Sequence, residues 1–466
     1  MVSTTAHIHF TGICGVATSA LAIALHRHGY LITGSDKGFF PPVSTRLSEA
    51  NITYYAGWHP EKMILPTPPE LVIAGGAGTS LSNPEIVFAK EHGIPVLSFA
   101  EALGKFVIKK NSIVTVGTWG KTTTSALLSY ILLQAGKQPS YFTGGLSRSH
   151  ESGALSTSDW SVVEGDEYQA AIWDKRPKFA FYSPTHLLLT SVVWDHADLY
   201  PTEAAYFQTF RDLVKKIPAS GTIVACIDNP GVVATTKNLN RPIIGYGKQS
   251  TADYYVHSES FTEQGLTFTV THRGRDYTIN SPLIGRFNTE NICGAFAIAH
   301  TIGIDPATII KAIAQFEGIK RRLERRGTVD GVAIFDDIAH SPSKAQSALA
   351  TLRAISRGKL VAVFEPNIGN RTRESTPSYD HAFREADIVV IPRLSKLKTQ
   401  TDETNLPFEG AELASIIGLT HPETHYIEND HDLITFLKNK TAPGDTIAFM
   451  GSHGFRGMIE ELVDRN

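Results

Sequence analysis

An α/β architecture in three parts is predicted by two features of the chain. Apolar runs rich in β-branched residues alternate with helix-period segments in separate stretches, as βαβ units do. Near residue 112 one such run, Ser112-Ile-Val-Thr-Val116, passes into Gly117-Thr-Trp-Gly-Lys-Thr-Thr123 and then into a helical pattern. At 466 residues the chain exceeds what one core supports, and about three domains are expected. The spacing divides it at 1–110, 111–325 and 326–466.

The first part opens with a strand at His7 to Gly12, a helix from Val16 to about His28, and a second strand, Tyr30 to Asp36, that ends in an acid. Its loop, Gly12-Ile-Cys-Gly15, falls short of the Gly-x-Gly-x-x-Gly dinucleotide pattern, so a ribose or nucleotide-sugar fits better than a nicotinamide dinucleotide, alongside the plainer possibility of a structural turn. Runs at 70–74 and 94–98 continue the alternation, giving a Rossmann-like domain.

In the middle part, Gly117 and Gly120 allow backbone N–H groups to close on phosphate oxygens. The helix from Thr122 to about Ala135 presents its positive end, Lys121 adds a charge, and Thr122 offers a hydroxyl to Mg²⁺. The glycine usual five positions before the Gly-Lys pair is replaced by Thr115, so this is a shortened phosphate loop. Strands are expected at 160–164, 186–193 and 222–227, and the alternating run Leu266 to Thr271 suits a small antiparallel β part. A helix follows from Thr289 to about Ile302. In the last part, strands at 331–336, 359–365, 386–392 and 445–450, with a helix from Pro342, describe a second Rossmann-like domain.

Composition narrows the function. A net charge of −3 gives no basic excess for nucleic acid, and no apolar run approaches a bilayer span, so membrane insertion is not expected. The N-terminus lacks the pattern of a secretory leader, which points to the cytoplasm. Three scattered cysteines, Cys14, Cys226 and Cys293, suggest neither a disulfide framework nor a thiolate metal site; each reads as a small buried hydrophobe. The sequence gives no reading of oligomeric state.

Six ordered blocks then resemble one family, the ATP-dependent Mur ligases of cell-wall precursor synthesis. They are Gly117 to Thr123, Glu164-Gly-Asp-Glu-Tyr168, Asp195-His-Ala-Asp198, Gly285-Arg-Phe-Asn-Thr-Glu-Asn291, Arg321-Arg-Leu323 and Asp336-Asp-Ile-Ala-His340. Within the family, His9 to Gly15, Thr33 to Asp36 with Pro41 to Thr45, Asp174-Lys-Arg-Pro-Lys-Phe179 and Gly454-Phe-Arg-Gly457 resemble the branch that joins UDP-N-acetylmuramate to the L-Ala-γ-D-Glu-meso-diaminopimelate tripeptide in peptidoglycan recycling. The near neighbour is the branch that adds L-alanine. A non-catalytic nucleotide and UDP-sugar sensor and a simple phosphate-loop hydrolase are the alternatives of another class; retained metal ligands argue against the first, and nucleotide sites in separate domains against the second.

The resemblance implies an amide ligase using ATP and Mg²⁺, with Lys121, Glu164, His196 and Arg322 catalytic. It implies that Gly117, Thr118, Gly120, Lys121, Thr122, Thr123, Asn288, Asn291, Arg322, Asp337 and His340 hold ATP, and that Thr122, Glu164 and His196 hold metal. The UDP-sugar would meet Gly12, Gly15, Ser35, Asp36, Ser80, Asn83 and Gly145, with Thr79 and Gly144 beside them, and the murein peptide the loop Asn367 to Arg373. Read without the resemblance, Asn288 and Asn291 would be helix caps, Asp166 and Glu167 a solvated acidic loop, and Arg321, Arg325 and Arg326 a solvated basic stretch. The chain departs from the family pattern at Trp119 (usually histidine), Gln169 (aspartate), Ser341 (histidine) and the loop 367–370, and no lysine is identifiable as the one that many relatives carbamylate.

Overall fold

The computed structural model describes residues 6–41, 43–75, 79–196, 198–237, 239–395 and 407–463. Pro42 and Ala197, within two of the blocks above, and the first five residues of the N-terminal stretch lie outside them. Two compact units emerge, one of Met1–Ser260, Thr267–Pro282 and Phe287–Glu317, the other of Phe261–Leu266, Leu283–Arg286 and Gly318–Asn466.

The first unit holds two large sheets. Strands β1 (His7–Thr11), β2 (Leu31–Asp36), β3 (Thr53–Ala56), β4 (Leu71–Ala74) and β5 (Val96–Ser98) form a parallel sheet in the order β3-β2-β1-β4-β5. Helices α1 (Val16–Arg27), α2 (Val43–Glu49), α3 (Pro60–Met63), α4 (Pro84–Glu91) and α5 (Phe99–Phe106) connect them. The order reverses direction at β1 and β4, the crevice where open α/β sheets receive ligands. Gly12 follows β1 and Gly75 follows β4 at that point.

The larger sheet contains β6 (Asn111–Val116), β7 (Ser140–Phe142), β8 (Gly153–Ala154), β9 (Trp160–Gly165), β12 (His186–Leu189), β13 (Thr222–Cys226), β14 (Ile244–Gly247), β15 (Tyr254–Thr262), β16 (Gly265–His272) and β17 (Arg275–Ser281); β10 (Gln169–Ala171) and β11 (Asp174–Pro177) form a separate ribbon. Its order is β17-β16-β15-β14-β13-β12-β6-β9-β7-β8. The register decides where the chemistry goes: parallel β6 pairs Val116 with Leu189 of β12 on one side and with Gly165 of β9 on the other. Three strands therefore end at one level and release the phosphate loop, the acid block and the segment carrying His196 side by side. Helices α6 (Lys121–Gln134), α7 (Glu203–Lys216), α8 (Pro230–Thr236), α9 (Phe287–Thr301) and α10 (Pro306–Gln315) complete the unit. Its core includes Val114, Val116, Val163, Leu187 and Leu189, all buried; each such side chain contributes roughly 1.5–3 kcal/mol.

The second unit is built on β18 (Glu324–Val329), β19 (Val332–Asp337), β20 (Leu360–Glu365), β21 (Ile388–Pro392), β22 (Thr424–Ile427) and β23 (Thr446–Gly451), in the order β18-β19-β23-β20-β21-β22, with β18 antiparallel at the edge. Helices α11 (Pro342–Arg353), α12 (Gly410–Gly418), α13 (Asp430–Lys440) and α14 (Met458–Val463) accompany it. Alternate residues face two apolar layers, Phe335, Ala362 and Phe364 in one, Ile334, Val361 and Val363 in the other. The basic stretch is not freely solvated: Arg321 donates to Asp336 and to the carbonyls of Gly451, Ser452 and His453, and Arg326 pairs with Asp336 and Glu460. Cys226 and Cys293 are buried as expected, whereas Cys14 is half-buried.

Candidate active site

The phosphate loop is held rigid by the neighbouring strand ends. Thr118 N–H donates to the Ser191 carbonyl (3.0 Å), Trp119 N–H to Ser191 Oγ (2.9 Å), and Thr190 Oγ1 to the Trp119 carbonyl (2.6 Å). Gly117 has φ +145°, and a Cβ there would lie 2.2 Å from Thr190 Oγ1, so the loop closes only over glycine. The Thr118 side chain binds the Val193 carbonyl and the Tyr206 hydroxyl, each at 2.9 Å. The Thr118 hydroxyl thus serves the loop's shape. The first turn of α6, Lys121 to Thr123, enters from Gly120 in the left-handed region (φ +82°), and a helix N-terminus of this kind favours anions.

Glu164, at the end of β9, accepts from Thr122 Oγ1 (3.0 Å) and from Gly144 N–H (2.7 Å). A Cβ at Gly144 would crowd that carboxylate at 2.8 Å. Hydroxyl and carboxylate together are the hard oxygen donors that suit Mg²⁺, which takes its remaining ligands from water and phosphate. Among the described residues no group of three or more His, Cys, Asp or Glu side chains makes a metal cage by itself. The acidic loop is not solvated. Lys178 pairs with Asp166 at 2.5 Å; burial pushes this carboxyl up, but Lys178 and the charge of Lys121 outweigh it and hold it below its ordinary value. Glu167, 1% exposed, receives Lys121 Nζ at 2.8 and 3.0 Å, a pairing that sequence reasoning missed because nothing local distinguishes Glu167 from Asp166.

His196 stands at φ +55°, an uncommon backbone for a residue with a Cβ. Its Nε2 is 3.7 Å from Glu167 Oε1; that carboxylate raises its pKa against the opposing effect of burial. Tyr168 packs its ring 4.9 Å from the imidazole and donates to Asp198 at 3.0 Å. Asn288 and Asn291 are not N-caps but the second and fifth residues of α9. Both are buried; Asn291 Nδ2 donates to Asn288 Oδ1 (3.0 Å), and a Cβ on Gly120 would strike Asn291 Oδ1 at 2.2 Å. The two amides therefore stand beside the phosphate loop. Trp119, where the family has histidine, is 62% exposed, and Gln169 accepts from Lys175 at 2.6 Å.

At the sheet crevice, Gly12 N–H donates to the Ser35 carbonyl (2.8 Å), while Asp36 accepts from the amides of Cys14 (2.8 Å) and Lys37 (2.7 Å). Gly12, at φ +86°, lets Thr79 and Gly75 approach, and Gly15 begins α1. Ser35, expected near the nucleoside, has a wholly buried side chain that donates to Glu85 at 2.5 Å. Asn83 caps α4 by accepting from Glu85 N–H, and Ser80 shares a hydroxyl contact with Ser82 at 2.8 Å. Gly145 accepts from Ser152 Oγ at 2.9 Å.

In the second unit, Asp337 accepts from Leu323 and Ala339 N–H, both at 2.7 Å, and burial raises its carboxyl despite them. It thereby fixes the turn that displays exposed Arg322. His340 binds the Ile338 carbonyl at 2.6 Å; burial and then Lys344 lower its pKa. Ser341 begins α11 without a side-chain cap. Within the loop 367–373, Arg371 turns inward onto the carbonyls of Phe408 and Ser395, leaving Arg373 outward.

Comparison with known proteins covers nearly the whole chain. Three family models match: "Mur ligase family, catalytic domain" over residues 7–111, "Mur ligase middle domain" over 114–299, and "Mur ligase, glutamate ligase domain" over 321–453. The UDP-N-acetylmuramate–L-alanyl-γ-D-glutamyl-meso-2,6-diaminoheptandioate ligase of Escherichia coli is 32% identical over 98% of this chain and 97% of its own. The UDP-N-acetylmuramate–L-alanine ligase of Rhodospirillum rubrum is also 32% identical, over 96% and 92%. Among solved structures, the murein peptide ligase of Psychrobacter arcticus aligns with TM-score 0.69 and 27% identity, covering 98% of each chain. The UDP-N-acetylmuramate-alanine ligase of Thermotoga maritima aligns with TM-score 0.77 and 23% identity over 99% of each, a likeness of fold. The three-part α/β fold, the ordered motifs and these matches agree that the chain belongs to the Mur ligase family of ATP-dependent amide ligases.

Proposed function

We propose that the protein joins UDP-N-acetylmuramate to the L-Ala-γ-D-Glu-meso-diaminopimelate tripeptide. The muramyl carboxylate attacks the γ-phosphate of ATP to give an acyl phosphate, and the peptide amine displaces phosphate through a tetrahedral intermediate. Both steps gather negative charge on crowded oxygens, which cations and oriented amides stabilise. The observation that carries this reading is the meeting of Lys121, Thr122, Glu164 and His196 at the level ends of three parallel strands. Thr122 and Glu164 would hold a Mg²⁺ and His196 a second, the ions supplying charge neutralisation at the phosphates.

On this reading residues 1–110 receive the UDP-sugar, 111–325 the ATP, and 326–466 the incoming peptide. Gly12, Gly15, Ser35, Asp36, Ser80, Asn83 and Gly145 serve the sugar nucleotide. In the first unit Asn288 and Asn291 meet the adenine; in the second, Arg322, Asp337 and His340 are the candidates for ATP. The tripeptide preference is supported by the E. coli relative and by the Asp174 to Phe179 block, whose Lys178 is tied into the acid block. The L-alanine ligases match at similar identity, so addition of alanine is the second reading. Among the described residues no helix is long and apolar enough to cross a membrane; work in the cytoplasm, where the nucleotide substrates are, fits the proposal.

The test is product mass after incubation with ATP, Mg²⁺ and UDP-N-acetylmuramate, with the tripeptide in one tube and L-alanine in another. A tripeptide adduct is expected. An alanine adduct would move the protein to the biosynthetic reaction, and binding of both nucleotides without ADP release would make it a sensor.

A further inference from the structure

We propose that Glu167 is a positioning residue for the ligase reaction, setting the Lys121 ammonium and the His196 ring together through one carboxylate. The idea rests on the ligase reading above. An ammonium has three N–H donors, and here three acceptors take them: the Gly117 carbonyl at 2.6 Å, the Thr118 carbonyl at 3.2 Å and Glu167 Oε1 at 3.0 Å. A lysine stem otherwise samples many rotamers. With these contacts its charge has one location, against the phosphate loop.

Glu167 is itself fixed from the other side. Its backbone carbonyl accepts from the Tyr200 hydroxyl at 2.5 Å, and Oε1 lies 3.5 Å from the Tyr206 hydroxyl and 3.7 Å from His196 Nε2. Tyr200 N–H donates to the His196 carbonyl at 2.8 Å, and the Tyr200 and Tyr206 rings meet edge to face with centroids 5.1 Å apart. The segment that carries His196 therefore also anchors the carboxylate that orients Lys121. Phosphate-loop cation and histidine are coupled through Glu167, which is buried and reaches the reactants only through them. Glu164 has separate partners, Thr122 and Gly144, so Glu164 and Glu167 of one short block divide the work.

The experiment is a double-mutant cycle of Glu167→Gln with Lys121→Ala, with Glu167→Asp as the conservative variant, read as ADP release in the presence of UDP-N-acetylmuramate and as thermal stability. Glu167→Gln is expected to lower kcat by about 10²-fold, the scale of a misplacement near 1 Å, with a much smaller change in the KM for ATP. Glu167→Asp should recover part of kcat. Because Lys121→Ala abolishes turnover, the cycle itself is read on stability: once Lys121 is alanine, Glu167→Gln should restore stability. Unchanged kcat in Glu167→Gln would overturn the proposal. So would equal losses in Gln and Asp variants that also lose UDP-N-acetylmuramate binding, which mark a merely structural acid. If wild type releases ADP but forms no adduct with either amine, the substrate reading fails while the Glu167 single variants are still read on ADP release; if it releases none, the stability cycle decides, and additive stability effects overturn the pairing.

Discussion

Two buried carboxylates in the first unit, Glu85 and Glu167, show how alike and how different such groups can be. Glu85 is 0% exposed and surrounded by donors: Ser35 Oγ at 2.5 Å, the Tyr55 hydroxyl at 2.7 Å, His59 N–H at 2.9 Å, Thr11 Oγ1 at 3.3 Å and His9 Nε2 at 3.4 Å. Glu167 has a lysine, a more distant histidine and one long hydroxyl contact. Glu85 is saturated and ties β1 and β2 to α4, a structural task behind the crevice of the first sheet. Glu167 is compensated by Lys121, the cation that the proposed reaction would use. Burial alone does not mark a functional acid; the nature of its partners does.

The sharpest way to break this contrast is Lys121→Ala. It should abolish ATP turnover while UDP-sugar binding persists, and it leaves Glu167 as an uncompensated buried charge, for a loss of about 3–5 kcal/mol of stability by denaturant unfolding. A stability loss below that of an ordinary surface substitution would show that Glu167 is not charge-paired.

Acid tests Glu85. Burial works to raise its carboxyl, but the His9, Ser35 and Tyr55 hydrogen bonds prevail and bring it from 4.5 to about 2. A depressed pKa stabilises the fold above the unfolded value, and that contribution, about 3 kcal/mol, is lost as pH falls from near 4.5 toward 2. Glu85→Gln should flatten this part of the stability-versus-pH curve; an unchanged slope would sink the assignment. Near neutral pH the same variant should lose stability without lowering kcat in the folded fraction, the opposite split from Glu167→Gln.

Gly120→Ala should cost about 1–3 kcal/mol for a Cβ at positive φ and weaken ATP binding, since it strikes Asn291; full ATP affinity would argue against that amide's place beside the loop. The smallest effect is expected at Trp119. Because the indole is exposed, Trp119→His should change stability by about 0.5 kcal/mol or less, so that any change in turnover or amine preference reports on substrate contact rather than folding.

Much of the frame was legible beforehand because it depends on local pattern. The run 112–116 became β6, the expected helix from Thr122 became α6 from Lys121, and Lys359 to Glu365 became β20 from Leu360. The strand expected over 186–193 stops at Leu189, because Thr190 and Ser191 leave the ladder to bind the phosphate loop. Edge strand β18 escaped notice because its Glu-Arg-Arg start looks solvated, and its arginines find partners only after folding.

By itself the sequence determined the phosphate loop, the alternation of strand and helix, and the family, since glycine spacing, apolar period and ordered blocks are written along the chain. Tertiary structure alone decided that Glu167 rather than Asp166 reaches Lys121, that Asn288 and Asn291 face the loop instead of capping α9, and that Ser35 turns into the core. Each of these depends on which strand ends finish at the same level and which face of a helix meets a neighbour, and those are set by register and packing between residues far apart in sequence.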